Sequence, residues 1–211
     1  MIASVFRCAL ILGLAAVLLT AVPSCAPARS PQSVAAAELH DIGEAAEALF
    51  DAAWAGDWTT AGRQVAALQR SSRRDPLIDA LLKRLEASTA TRDRFAVLKI
   101  ANELTRVAVE RTPEHPGGPP RSISWLDVHG RSLRVAVDEG DAVQTTAASV
   151  EIQRAWDLAR PRVVARGGEK EAAEVDATVG RITKGAPVDE MGRLAAELLE
   201  QVDELEHVFE R

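Results

Sequence analysis

Apolar side chains recur along most of this chain at alternating spacings of three and four, the interval that aligns side chains on one face of a helix. Ala35, Leu39, Ile42, Ala46, Leu49 and Ala53 form the first stripe, widened by Phe50 and Trp54. Trp58, Ala61, Val65 and Leu68 form a second, Ile78, Leu82 and Leu85 a short third. Val97, Ile100, Ala101, Leu104, Val107 and Ala108 form a fourth. Past the middle come Leu126, Gly130, Leu133 and Val137, then Ala148, Ile152, Ala155, Trp156 and Ala159, then Ala172, Val175, Val179 and Ile182. Met191, Ala195, Leu198, Val202, Leu205 and Phe209 make the last and most regular stripe. No segment sustains the period of two that a half-buried strand requires. The pattern predicts an all-α protein, an antiparallel bundle of about seven or eight helices built from αα-hairpins.

Capping signals fall between the stripes. Asp75 precedes Pro76, an N-cap acid before a proline at the first helical position. Gly56-Asp57 and Gly140-Asp141 each join a residue suited to closing a helix to one suited to opening the next. Asp141 and Gln144 have capping-box spacing, Gly167-Gly168 and Gly185 are further stops, and Pro187 is a start. Residues 112–122 hold four prolines and two glycines and cannot be helical. The chain therefore divides into a helical half at 34–111, a linker at 112–122 and a second half at 123–211, which share one core or hold two. Setting Gly56-Asp57 on Gly140-Asp141 also places Leu68 on Ile152 and Gln69 on Gln153, and Pro76 one residue from Pro161. An internal duplication would leave this pattern; a Gly-Asp pair is also a good hairpin turn by itself.

The N-terminus is patterned differently. Residues 1–7 carry Arg7 and no acid, and residues 8–22 are uncharged and overwhelmingly apolar. As a helix that run spans roughly 22 Å, short of the ~30 Å hydrocarbon core. It reads as a cleaved export signal over residues 1–24. Val22-Pro23-Ser24-Cys25 resembles the lipobox of bacterial lipoproteins, with Pro23 where that family has Ala, Ser or Thr. The resemblance implies that Cys25 is lipidated and becomes the new N-terminus, anchoring the protein to a membrane that faces the periplasm or cell exterior. In a Gram-negative host Ala26, next to the cysteine, implies the outer membrane. Residues 25–33, with Pro27, Arg29, Ser30 and Pro31, would form the tether. The alternatives are cleavage near Ala26-Pro27-Ala28, which leaves a soluble secreted protein, and an uncleaved anchor. Cys8 and Cys25 are the two cysteines, so the body has no internal disulfide and Cys25 is a lone thiol unless lipidated.

The whole chain carries −6, and the signal removes Arg7 alone among charged residues, so the body is more acidic still. That balance argues against a nucleic-acid partner, which needs a basic face. Arg70, Arg73 and Arg74, and again Arg92 and Arg94, are local basic runs that suit solvated loops. Metal-hydrolase, phosphate-loop and nucleophile-elbow motifs are all missing, so no enzyme activity and no cofactor are expected.

A few residues stand out as candidate chemistry. Glu197, Glu200, Glu204 and His207 share one stripe of the last helix, and Glu204-x-x-His207 has the spacing used in di-metal carboxylate bundles. A solvated acidic face is the plain reading, and a divalent cation the sharper one. His129 lies one turn after Trp125 on the core side of its helix, where it reads as a core-edge histidine or as a metal or haem ligand with Met191 as partner. His40 reads as a surface residue and His115 as a loop residue. Trp54 and Trp58 bracket the first Gly-Asp turn and are candidates for a protein-contact patch. Gly56-Asp57-Trp58 with Ala61, Val65 and Leu68 is similar to the turn of a tetratricopeptide repeat, although no period of about 34 residues continues. That resemblance implies only that stacked helical hairpins make a binding surface. The expectation is a membrane-anchored, extracytoplasmic, non-enzymatic binding or scaffolding module with an envelope protein partner. The alternative is a metal- or haem-binding bundle for sensing or electron transfer.

Overall fold

The computed structural model describes residues 31–71 and 75–211, with side chains from Ala37 onward. The signal, the Cys25 lipobox, most of the tether, Arg73 and Arg74 lie outside the described residues. Eight helices and no strands are present among the described residues. They are α1 (Pro31–Trp54), α2 (Trp58–Ser71), α3 (Pro76–Ala90), α4 (Arg94–Arg111), α5 (Arg121–Glu139), α6 (Ala142–Ala165), α7 (Glu169–Thr183) and α8 (Val188–Glu210). Helix α1 starts at Pro31, earlier than its first apolar residue indicates. Helix α6 runs through Pro161 to bury Val163. The proline sits on the exposed side of α6, where water can satisfy the carbonyl it leaves free.

The hairpin turns are built alike. Gly56 (φ 74°) and Gly140 (φ 73°) take the left-handed conformation that glycine adopts without a Cβ penalty. Asp57 N–H donates to the Ala52 carbonyl and Asp141 N–H to the Ala136 carbonyl, each closing the preceding helix. Asp57 Oδ1 then accepts from Thr60 N–H and Asp141 Oδ1 from Gln144 N–H, both at 3.0 Å. Asp75 caps α3 by accepting from the N–H groups of Leu77 and Ile78.

Each half is a ring of four helices. In the first, α1 packs on α2, α2 on α3, α3 on α4 and α4 back on α1; in the second, α5, α6, α7 and α8 repeat that order. Each ring closes on its own apolar core. One holds Leu49, Phe50, Leu68, Leu85 and Leu104; the other holds Leu133, Ile152, Trp156, Ile182 and Leu198. The Trp156 indole N–H donates to Asp176 at 2.7 Å, so this buried tryptophan is a satisfied core residue.

The halves join along α4 and α5. Helix α4 is buried nearly all round, because Leu98, Asn102 and Thr105 extend its core face toward α5. Asn102 Nδ2 donates to the Val128 carbonyl and to Ser132 Oγ, both at 2.9 Å. Arg94–Asp138 (2.7 Å) and Lys99–Glu139 (2.6 Å) continue the seam outward.

One glycine fixes a close packing distance. A Cβ on Gly168 would lie 2.7 Å from Val163 Cγ1, 3.0 Å from Val208 Cγ1 and 3.1 Å from the Val163 carbonyl oxygen. Gly168→Ala is expected to destabilise the protein by about 1–3 kcal/mol. Gly180→Ala, with nothing within 4 Å of its Cβ, is expected to stabilise α7 by about 0.5–1 kcal/mol. Urea unfolding of both variants against the parent reads the opposite signs.

Candidate functional site

Helices α1 and α8 close their own rings but make no close backbone approach to one another among the described residues, and neither do α1 and α5. The gap is a half-open groove with a cavity of about 500 Å³. Leu39, His40, Gly43, Glu44 and Glu47 of α1 line one wall, and Val202, Asp203, Glu206 and Glu210 of α8 face them. Thr105, Ala108 and Val109 of α4 and Arg121, Ser124 and Asp127 of α5 contribute from the joined side. The linker adds Pro113, Glu114, His115 and Pro119 at the rim.

The lining residues come from matching positions of the two halves. With Gly56 set on Gly140, His40, Gly43 and Glu47 fall on Ser124, Asp127 and Arg131. With Val97 set on Met191, Ala108, Val109 and Thr112 fall on Val202, Asp203 and Glu206. Apart from Arg131, every member of both sets lines the groove. Such a meeting of equivalent faces is what an approximate two-fold relation between the halves produces.

Arg131 sits behind the carboxylates. Its Nη2 lies 3.3 Å from Glu47 and 3.3 Å from Asp127, its guanidinium is 5.4 Å from the centre of the Phe50 ring, and its side chain is 9% exposed. Its Nη1 is buried without a hydrogen-bond partner. Burial pushes the Asp127 carboxyl up to about 7, against the pull of Arg131 and with help from Glu47, Glu206 and Asp203. Glu47 is half-buried and Glu206 is exposed at the open side of the groove, and partial desolvation there raises both carboxyls from their ordinary value. Repulsion from Glu47, Asp203 and Glu210 adds to the rise at Glu206, and His207 opposes it. Burial first, and mutual repulsion second, disfavours ionisation of Asp127, Glu47 and Glu206.

The residues singled out from sequence lie elsewhere. Glu197 accepts from Thr178 Oγ1 at 3.2 Å and from Arg193 at 2.8 Å, so its carboxylate is occupied by structural partners. Glu200, Glu204 and His207 are exposed on α8. His129 is half-buried and stacks on Trp125 with ring centres 5.4 Å apart, and burial lowers its pKa. No group of three or more His, Cys, Asp or Glu among the described residues is placed to hold a metal ion. Among the described residues no second helix brings ligands to the Glu204-x-x-His207 pair on α8. Trp54 is not an open contact patch either. It stacks on Phe50, with Arg134 at 3.9 Å and Arg94 at 4.5 Å from its ring centre, and those guanidinium groups tie α5 and α4 to α1. Trp58 is half-buried against the first core. His40 and His115, read as a surface and a loop residue, both line the groove.

No protein-family model matches the chain, and no curated protein or solved structure matches it either.

The raised carboxyl gives a definite pH dependence. The fold favours protonated Asp127, so this contribution is fully present below the ordinary carboxylate pKa and is lost as pH climbs through about 7. Asp127→Asn is expected to gain stability relative to the parent as pH rises from 4 to 8, with the gain levelling off above about 7. Thermal or urea unfolding across that range measures it.

Proposed function

We propose that this protein is a non-enzymatic, extracytoplasmic helical module that binds a cationic segment of an envelope protein partner in the groove between α1 and α8. The observation that carries the reading is the composition of that groove. Its walls present Glu47, Asp127, Asp203 and Glu206 beside Leu39, Val109 and Val202; Arg131 reaches Glu47 and Asp127 from behind, and Arg121 is on the lining itself, so acids outnumber arginines in the groove. Arg131 pairs with Glu47 and Asp127 alone of these acids, so an incoming ammonium or guanidinium group would bring a counter-charge to Asp203 and Glu206, and the apolar positions take the stem that carries it. The export-like pattern of residues 1–24 and the lipobox-like Val22–Cys25 support attachment to a membrane through lipid on Cys25.

Titration of a pentalysine peptide into the full-length protein at low ionic strength tests the groove by calorimetry. Binding is expected to the parent, to weaken with added salt, and to fall at least tenfold in an Asp203→Asn, Glu206→Gln double variant. No binding, or equal binding by the variant, overturns the reading. The mass of the membrane-extracted protein tests the tether separately. Residues 25–211 plus a diacylglyceryl group and an acyl chain support it; an unlipidated mass lacking the signal makes the module soluble and secreted, and the intact mass of residues 1–211 makes the signal an uncleaved anchor.

A further inference from the structure

Helix α6 has two apolar faces. Ala148, Ile152, Ala155, Trp156, Ala159 and Val163 fill the core of the second half. On the opposite side Val143 is 76% exposed, Val150 45% and Leu158 70%. At 3.6 residues per turn these three align with Ala147 and Arg154 in one stripe roughly 22 Å long. All three of the most conspicuous apolar side chains here would be polar on an ordinary solvated helix. Their spacing resembles the seam of a helix pair, with one charged residue, Arg154, about one turn from its centre.

We propose that this outer face of α6 is a self-association surface on which a second copy of the chain packs its own α6 antiparallel. The stripe is self-complementary. An antiparallel pair centred between Val150 and Glu151 sets Val143 against Leu158 of the second copy, and Leu158 against its Val143. The same register puts Arg154 beside Ala147 of the second copy, one turn from that copy's Glu151. Within one chain Arg154 already bonds Glu151 at 2.5 Å, with 69% of the arginine side chain exposed, so the pair can exchange into two intermolecular ion pairs. Apolar contacts at both ends and opposite charges near the middle are what an isologous two-fold interface requires. A parallel pair would stack Arg154 on Arg154 and is disfavoured. A single helix face is small against the roughly 1,200 Å² or more of a stable interface, so the association is weak, with a dissociation constant of about micromolar or above. The surface lies on α6 and uses none of the groove residues.

Sedimentation velocity of the full-length protein over a wide concentration range tests this, with thermal unfolding as the check on folding. The parent is expected to pass from monomer to dimer as concentration rises. A Val150→Glu, Leu158→Glu variant is expected to associate at least tenfold more weakly with an unchanged fold. Arg154→Glu alone is expected to weaken association, and Glu151→Arg with Arg154→Glu to restore it, since the reversed pair is again self-complementary. A parent that stays monomeric throughout overturns the proposal. So does a dimer that survives Val150→Glu, Leu158→Glu, or one that the double charge reversal fails to restore.

Discussion

The guanidinium of Arg131 holds together what the backbones leave apart. Helices α1 and α5 make no close backbone approach, yet Arg131 reaches from α5 across Phe50 to Glu47 of α1 while also pairing with Asp127 on its own helix. A buried ion pair gains little net stability, because desolvation offsets most of the attraction. Arginine suits the position since its flat, weakly hydrated head can lie on an aromatic ring and meet two carboxylates at once. Those carboxylates in turn set the character of the groove. Without Arg131, Glu47 and Asp127 would face Asp203 and Glu206 with no positive charge behind them.

Two similar rings of helices meet in this molecule, but the meeting is uneven. On one side α4 packs directly on α5, with Asn102 bonded into the seam. On the other side α8 stands off from α1. The difference follows from side chains at matching positions. Val109 of α4 and Thr112 at its C-cap are neutral, whereas their counterparts on α8 are Asp203 and Glu206, which line the groove with Glu44 and Glu47. Like charges on both walls oppose closure. One seam is therefore zipped and its counterpart is a groove, from the same helical framework.

Most of the framework could be read from the sequence. The spacing of apolar residues located every helix, and Asp75, Asp57 and Asp141 marked starts that the backbone uses as caps. Less visible was the second face of a helix. Leu98 and Asn102 lie off the main stripe of α4 because that helix serves two partners, and α6 has its outer apolar side for a different reason. The groove was not legible. Glu47, Asp127 and Glu206 look like ordinary acids in amphipathic helices, and tertiary folding gathers them from α1, α5 and α8. One signal was present in the Gly-Asp turns. Extending their alignment backward puts Glu47 on Arg131, opposite charges at matching positions beside two core stripes. By contrast, Glu204 and His207 had suggestive spacing along one helix, but a ligand set needs several helices to converge.

The lopsided joint also has a mechanical side. Two rigid rings fastened along a single edge behave like the covers of a book, with the α4–α5 seam as the spine. The softest internal motion of such a body is rotation about that spine, which changes the width of the opposite edge and is resisted by Val135 of α5, whose side chain packs in the first core. The Arg131–Glu47 contact then acts as a clasp near the spine, limiting how far the covers can swing. A load entering through the first helix would pass to the second ring through this clasp as well as through the spine.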